Sequence, residues 1–274
     1  MKKEKRVLSS IYMGLLVLFF YAPIVYTVVF SFNDSRSLTK FAGFSLQWYE
    51  KMFNDRTMME SVFYTILTAV LATVISTFVG TITAIGLSKS RKIVRGIVEQ
   101  VNNLPIMNPE IVTAIGLLMF YSALHVRKGF VTMLLAHIMF CIPYVILSIT
   151  PKLRTLDQNL ADAAMDLGAT PWQALVKVIV PQIKPGIVSG ALIAFTMSFD
   201  DFVISYFVTG NGVSNISILV YTMSKRINPS INALSTLIIV IISIFLLISN
   251  AVPAIAEKRM AKRLKQADQV PDKA

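Results

Sequence analysis

The chain has 274 residues, of which 55% are hydrophobic and only 15% charged, where a soluble domain carries about 25% charged residues. With a mean hydropathy of +0.65, this is the composition of a membrane protein, and six spans of roughly 20 residues would leave little for a separate catalytic domain. The single cysteine, Cys141, excludes a disulfide framework and any cysteine-based zinc site within one chain, and the net charge of +11 has to be judged by where the basic residues fall.

Apolar stretches at 7–32, 61–88, 97–122, 129–150, 186–208 and 230–256 are each long enough to cross the hydrocarbon as a helix. The expected architecture is therefore all-α with six transmembrane helices in one domain, 1–274. The first stretch follows a basic segment as a signal peptide would, but its apolar run is too long for one, and it reads as a retained anchor. Of the 26 Lys and Arg, 18 lie before the first span, in the 89–96 and 151–185 loops and in the basic tail 257–274. That asymmetry puts both termini in the cytoplasm and explains the positive charge by topology and anionic lipid rather than nucleic acid.

Between the first two spans, Trp48 and Tyr49 read as interfacial anchors. In the third stretch Pro105 and Pro109 interrupt the helix, and Asn108-Pro109-Glu110 reads as the N-cap, N1 and N2 of a fresh one. Glu110 is either a carboxylate stabilised by the helix dipole or a weaker pathway residue. His137 and Cys141, four apart in the fourth span, have the spacing of a metal pair but no third ligand, so core packing is expected.

The loop 151–185 reads as two short helices. Thr155 with Gln158 forms a capping-box start, and Leu156, Leu160, Ala163, Ala164 and Leu167 recur at helical spacing up to a stop at Gly168. Thr170, Pro171 and Gln173 then open a second helix, whose apolar stripe of Trp172, Leu175, Val176, Ile179 and Val180 is expected to end at Pro181. Helices this short must pack on something. Asp162 and Asp166, four apart and facing away from the leucines, repel each other, which suits a docking element for a partner bearing a cation. The other reading is that the loop merely covers the span ends.

In the fifth stretch, Asp200 and Asp201 lie inside an expected span, where an aspartate costs roughly 2.5–3.5 kcal/mol. With the aromatic faces of Phe199, Phe202, Tyr206 and Phe207 they suit the passage of an organic polycation. The alternative is a structural pair bonded to hydroxyls such as those of Thr196, Ser198 and Ser205, or to a partner subunit. The sequence has no G-x-x-x-x-G-K-[ST] loop, dinucleotide fingerprint, HExxH or G-x-S-x-G, so this chain is not expected to be an enzyme or to hydrolyse ATP.

Asp162-Ala163-Ala164, three residues, Gly168, nine residues and Val178-Ile179-Val180-Pro181 resemble the EAA loop of the binding-protein-dependent ABC importer permeases. Aspartate stands for the usual glutamate at 162, and valines for isoleucine and leucine at 178 and 180. Within that family the chain is similar to the spermidine/putrescine permeases of the PotC type, through Leu46 to Tyr49, Leu104 to Val112, Asp162 to Thr170 and Ser198 to Gly210. The resemblance implies a MetI-like fold in the bacterial inner membrane and a heterodimer with a second permease. It also implies an extracytoplasmic polyamine-binding protein and a cytoplasmic ATPase pair, holding the ATP and magnesium, that grips Asp162, Ala163, Ala164, Gly168 and Pro181. It raises Trp48 and Ser198, with Asp200, Asp201 and Glu110, as substrate-pathway residues. An ion-coupled carrier using Asp200, Asp201 and Glu110 as coupling sites is the competing reading.

Overall fold

A computed structural model describes residues 2–244 and 247, apart from 38, 158, 211 and 225–227. The described residues are helical with no strand; a lone bridge pairs Asn33 with Phe44. The chain divides into two units, Arg56–Thr222 and a second made of Met1–Asp55 with Met223–Ala274. Among the described residues four helices are long and apolar enough to cross a membrane, or five if one bent pair counts as a span. The sixth expected stretch begins as the helix Ser230–Ile244. The rest of it and the basic tail lie outside the described residues.

The second unit contains α1 (Lys2–Ser31) and α2 (Gln47–Asn54). Asn33 organises the loop between them, its Nδ2 donating to the carbonyls of Ser37 and Lys40 and its Oδ1 accepting from Ala42 N. Trp48, expected at an interface, is instead buried, its Nε1 donating to the Asn33 carbonyl at 2.6 Å. The indole has its one donor satisfied by the loop it closes.

In the larger unit α3 (Arg56–Ser88), α6 (Phe130–Thr155) and α9 (Val180–Asp200) pack against one another. Lipid supplies no hydrophobic drive between helices, so close approach through small residues has to hold them. The buried stripe of α9 accordingly runs Ile183, Gly186, Gly190, Ala194, Ser198. A Cβ on Gly190 would sit 3.2 Å from Val145 Cα of α6, where the neighbour is backbone and cannot rotate away. Gly190→Val is expected to overpack this crossing by about 1–3 kcal/mol and to lower the melting midpoint of the detergent-solubilised protein by about 5 °C or more. Gly86→Val, where a Cβ meets nothing within 4 Å, should leave the midpoint nearly unchanged.

The third expected span is two helices, α4 (Lys92–Met107) and α5 (Glu110–Ala123), bent by 104° at Asn108-Pro109. Pro109 is the residue before the helix and Glu110 the first within it, one position later than the sequence suggests.

The loop 151–185 begins differently from expectation. Thr155 is the last residue of α6, its hydroxyl donating back to the Lys152 carbonyl at 2.9 Å, and so starts no helix; its expected partner Gln158 lies outside the described residues. The next helix, α7 (Leu160–Asp166), follows an Asx turn in which Asp157 Oδ1 accepts from Asn159 N. It stops at Gly168, whose φ of +87° sets a Schellman closure, with Gly168 N bonding to Met165 O and Ala169 N to Ala164 O. A side chain with a Cβ at 168 would be strained.

The capping box of Thr170 and Gln173 opens α8 (Pro171–Ala174) as expected, each side chain bonding the other's main-chain N–H. Pro181 does not end this helix. A π-helical turn over Leu175–Ile179 widens the coil, Val180 N bonding back to Leu175 O, and the helix continues into α9. A proline just past such a turn supplies no N–H where the ladder is already shifted.

Candidate functional site

The fifth apolar stretch is not one helix. α9 ends at Asp200, Asp201 is extended (φ −59°, ψ 126°), and a six-residue helix, α10 (Val203–Val208), follows. The aspartates therefore sit at a break rather than mid-helix. Broken backbone at membrane depth requires its freed polar groups to find partners, and several of them do so here through side chains. Asp201 accepts from Ile204 N and Ser205 N through its two carboxylate oxygens and so caps α10. Asn215 Nδ2 donates to the Asp201 carbonyl at 2.8 Å and Ser217 Oγ to the Asp200 carbonyl at 3.2 Å, closing the end of α9. Thr132 of α6 holds the far end of α10 through the Val208 carbonyl. A six-residue helix has little stability of its own; these side chains supply it.

The two acids part company at the break. Asp201 is turned inward, its side chain 5% exposed, into a buried network with His137, Ser198, Ser205 and Asn215. Ser205 Oγ donates its single proton to Asp201 Oδ2 at 2.7 Å and accepts from Asn215 Nδ2, so the contact to His137 Nε2 at 2.9 Å needs the proton on Nε2. The same nitrogen lies 3.5 Å from Asp201 Oδ2, while Nδ1 meets Ser198 Oγ at 2.7 Å.

Asp200 lines a cavity of about 270 Å³ together with Glu110, Thr113, Phe140, Tyr144 and Phe202, and Asp201 borders the same cavity while its carboxylate is engaged in the network. Among the described residues no lysine or arginine lines it. The α4/α5 bend thus delivers Glu110, and the α9/α10 break delivers Asp200, to one hollow with aromatic walls. Such a hollow can hold an organic cation by charge and by cation–π contact. Ser198 lies in the network behind it, buried on His137, and Trp48 belongs to the other unit.

Sequence reasoning assigned His137 to core packing alone and passed over Asn215 and Ser217. For Asn215 a signal existed: it precedes an apolar run as an N-cap, and its Oδ1 does accept from Ile218 N at the start of α11 (Ile216–Ser224).

At the opposite face of the fold a cavity of about 500 Å³ lies between the ends of α3, α4, α6 and the α7 elbow. Asp162 lines it, with Lys89, Arg95 and Arg154 on its wall, and Arg154 pairs with Glu99 at 3.0 Å. The chain's own cations therefore share the surroundings of Asp162, and both Asp162 and Asp166 are exposed. Ala161 packs inward, and Leu167, expected on the packed face, is 91% exposed; Trp172 is 71% exposed beside it.

Residues 76–265 match the family of binding-protein-dependent transport system inner membrane components. The chain belongs to this family. Among relatives of the permease, the putrescine transport system permease protein PotI of Escherichia coli K12 is 36% identical, over 91% of this chain and 92% of its own. The spermidine/putrescine transport system permease protein PotC of Haemophilus influenzae is also 36% identical, over 85% of this chain and 91% of its own. In fold, the permease superposes on a bacterial ABC transporter involved in the import of alginate, with a TM-score of 0.70 at 16% identity, covering 93% of this chain and 96% of that one. The MetNI methionine ABC transporter gives 0.54 at 18% identity, covering 76% and 95%. The permease is accordingly a multi-pass inner-membrane subunit of a binding-protein-dependent transport system, helical throughout its described residues and with an ABC-permease fold.

Proposed function

We propose that this permease is one of two membrane subunits of an ATP-driven importer of polyamines. It crosses the membrane six times with both termini cytoplasmic, takes its cargo from an extracytoplasmic binding protein, and is driven by a separate ATPase pair seated on the elbow 155–181. The single observation that carries the cargo is the meeting of Asp200 and Glu110 in one cavity walled by Phe140, Tyr144 and Phe202, with no basic residue among its described lining. Two carboxylates in an apolar setting favour a cation with more than one charge. The named relatives transport putrescine or spermidine and putrescine, which agrees with that chemistry.

The elbow supports ATP drive over an ion-coupled carrier, because a carrier needs no capped pair of helices presenting Leu167 and Trp172 outward. Uptake of labelled putrescine and spermidine is to be measured in vesicles holding the chain with its partner subunits and binding protein. Uptake should survive collapse of the ion gradients and stop when ATP is withdrawn. The reverse pattern would make the acids ion-coupling sites and defeat the proposal.

A further inference from the structure

We infer that His137 is a positioning residue of the translocation pathway, a clasp across the α9/α10 break that fixes where Asp200 points. The inference rests, for its transport consequences only, on the reading of Asp200 as a pathway residue.

The geometry is specific. Where a helix stops and the chain turns away at once, the direction of its last side chain is set by the exit of the chain. Here the exit is Asp201, and three of the four groups that hold its carboxylate belong to the turn itself: Ile204 N, Ser205 N and Ser205 Oγ. The fourth, His137 Nε2 at 3.5 Å, comes from α6. The other nitrogen of the same ring reaches Ser198, two residues before Asp200, while Nε2 also reaches Ser205, five residues after it. One imidazole thus holds both sides of the break to a third helix. The ring is 1% exposed and is fully engaged in a network whose members lose satisfaction together if it is removed.

α6 also supplies the wall of the cavity. Phe140 and Tyr144 lie three and seven residues beyond His137 on the same helical face, and both line the hollow that Asp200 faces. The helix that carries the clasp therefore also sets the distance from Asp200 to the aromatic wall. Cys141 Sγ, donating to the Ala194 carbonyl at 3.4 Å, adds a second tie between α6 and α9 one turn away.

The test uses the complete transporter, with partner subunits and binding protein. His137→Leu, which keeps the volume and removes both nitrogens, should raise the half-saturating spermidine concentration about tenfold while the assembled complex keeps its normal yield. His137→Gln, which restores one donor toward Ser205, should recover most of that loss. The double substitution His137→Leu with Asp200→Asn should be no worse than Asp200→Asn alone, because the ring acts through the carboxylate. Multiplying losses, or unchanged half-saturation in an assembled His137→Leu complex, would overturn the inference. If His137→Leu does not assemble, Ser198→Ala, which frees Nδ1 only, carries the same comparison; failure of both to assemble would reduce the ring to holding the fold and equally overturn it.

A second readout needs no cargo. In the Asp200→Cys chain, with native Cys141 fully buried as background, the rate of modification by a cationic methanethiosulfonate should fall about tenfold when His137 becomes leucine. An unchanged rate would overturn the clasp. A fall in rate together with wild-type vesicles that import no polyamine would instead uphold the clasp and reject the cargo.

Discussion

Asp200→Asn and Asp201→Asn should fail in opposite ways. Asp200→Asn is expected to raise the half-saturating polyamine concentration roughly 10- to 100-fold, the loss of one charge-assisted contact worth about 1.5–3 kcal/mol, with a normal amount of assembled complex. Its tie to the fold at Ser217 runs through the main-chain oxygen, which asparagine retains. Asp201→Asn replaces one acceptor oxygen by a donating amide inside a site where Ile204 N, Ser205 N and Ser205 Oγ all donate. A buried donor facing donors costs about 1–3 kcal/mol or more, and the effect should appear chiefly as lost complex, with the half-saturation of what survives raised no more than in His137→Leu. Glu110→Gln should resemble Asp200→Asn. Concentration-dependent uptake in vesicles, normalised to assembled complex, separates the classes. An Asp201→Asn complex with full yield and weak affinity would exchange the roles assigned to the two acids.

That division could not be read from the sequence, where the aspartates are equivalent neighbours in an apolar run. Composition and the exclusion of irregular backbone from lipid make long helices legible, and the elbow was legible because its capping box and left-handed glycine are local devices. Gly168 and the pair Thr170 and Gln173 sit where spacing alone places them. What escaped depends on partners far along the chain. The break after Asp200 exists because Asn215, Ser217 and His137 satisfy it, from 14, 17 and 64 residues away from the groups at 200 and 201 that they hold.

Local signals also misled where one residue type serves two purposes. A threonine hydroxyl can open a helix or fold back on the last turn of one, and Thr155 does the second. Proline stops a regular helix, yet a π turn immediately before Pro181 absorbs the defect. Trp48 shows the remaining gap, since an amphipathic ring at a span end satisfies the rule for an interfacial anchor equally well when Asn33 offers it a buried carbonyl.

Leu167→Asp with Trp172→Asp is expected to abolish retention of the ATPase on the purified complex and, with it, ATP-driven uptake. Both side chains are exposed, at 91% and 71%, so charging them removes nothing from the core of the permease, and its own helices should persist. Burying a large apolar side chain against a partner is worth about 1.5–3 kcal/mol, so losing two such contacts weakens association by roughly 100-fold or more. The flanking devices explain why the surface can take load. The Schellman closure at Gly168 and the capping box at Thr170 fix the angle between two helices too short to hold one. The continuous helix from Pro171 to Asp200 joins that surface to the break beside the cavity, so under the proposed ATP drive a push at Trp172 would travel along it to Asp200. If the doubly charged elbow retained its ATPase and transported normally, the motor would have to grip the permease elsewhere and this path would carry no work.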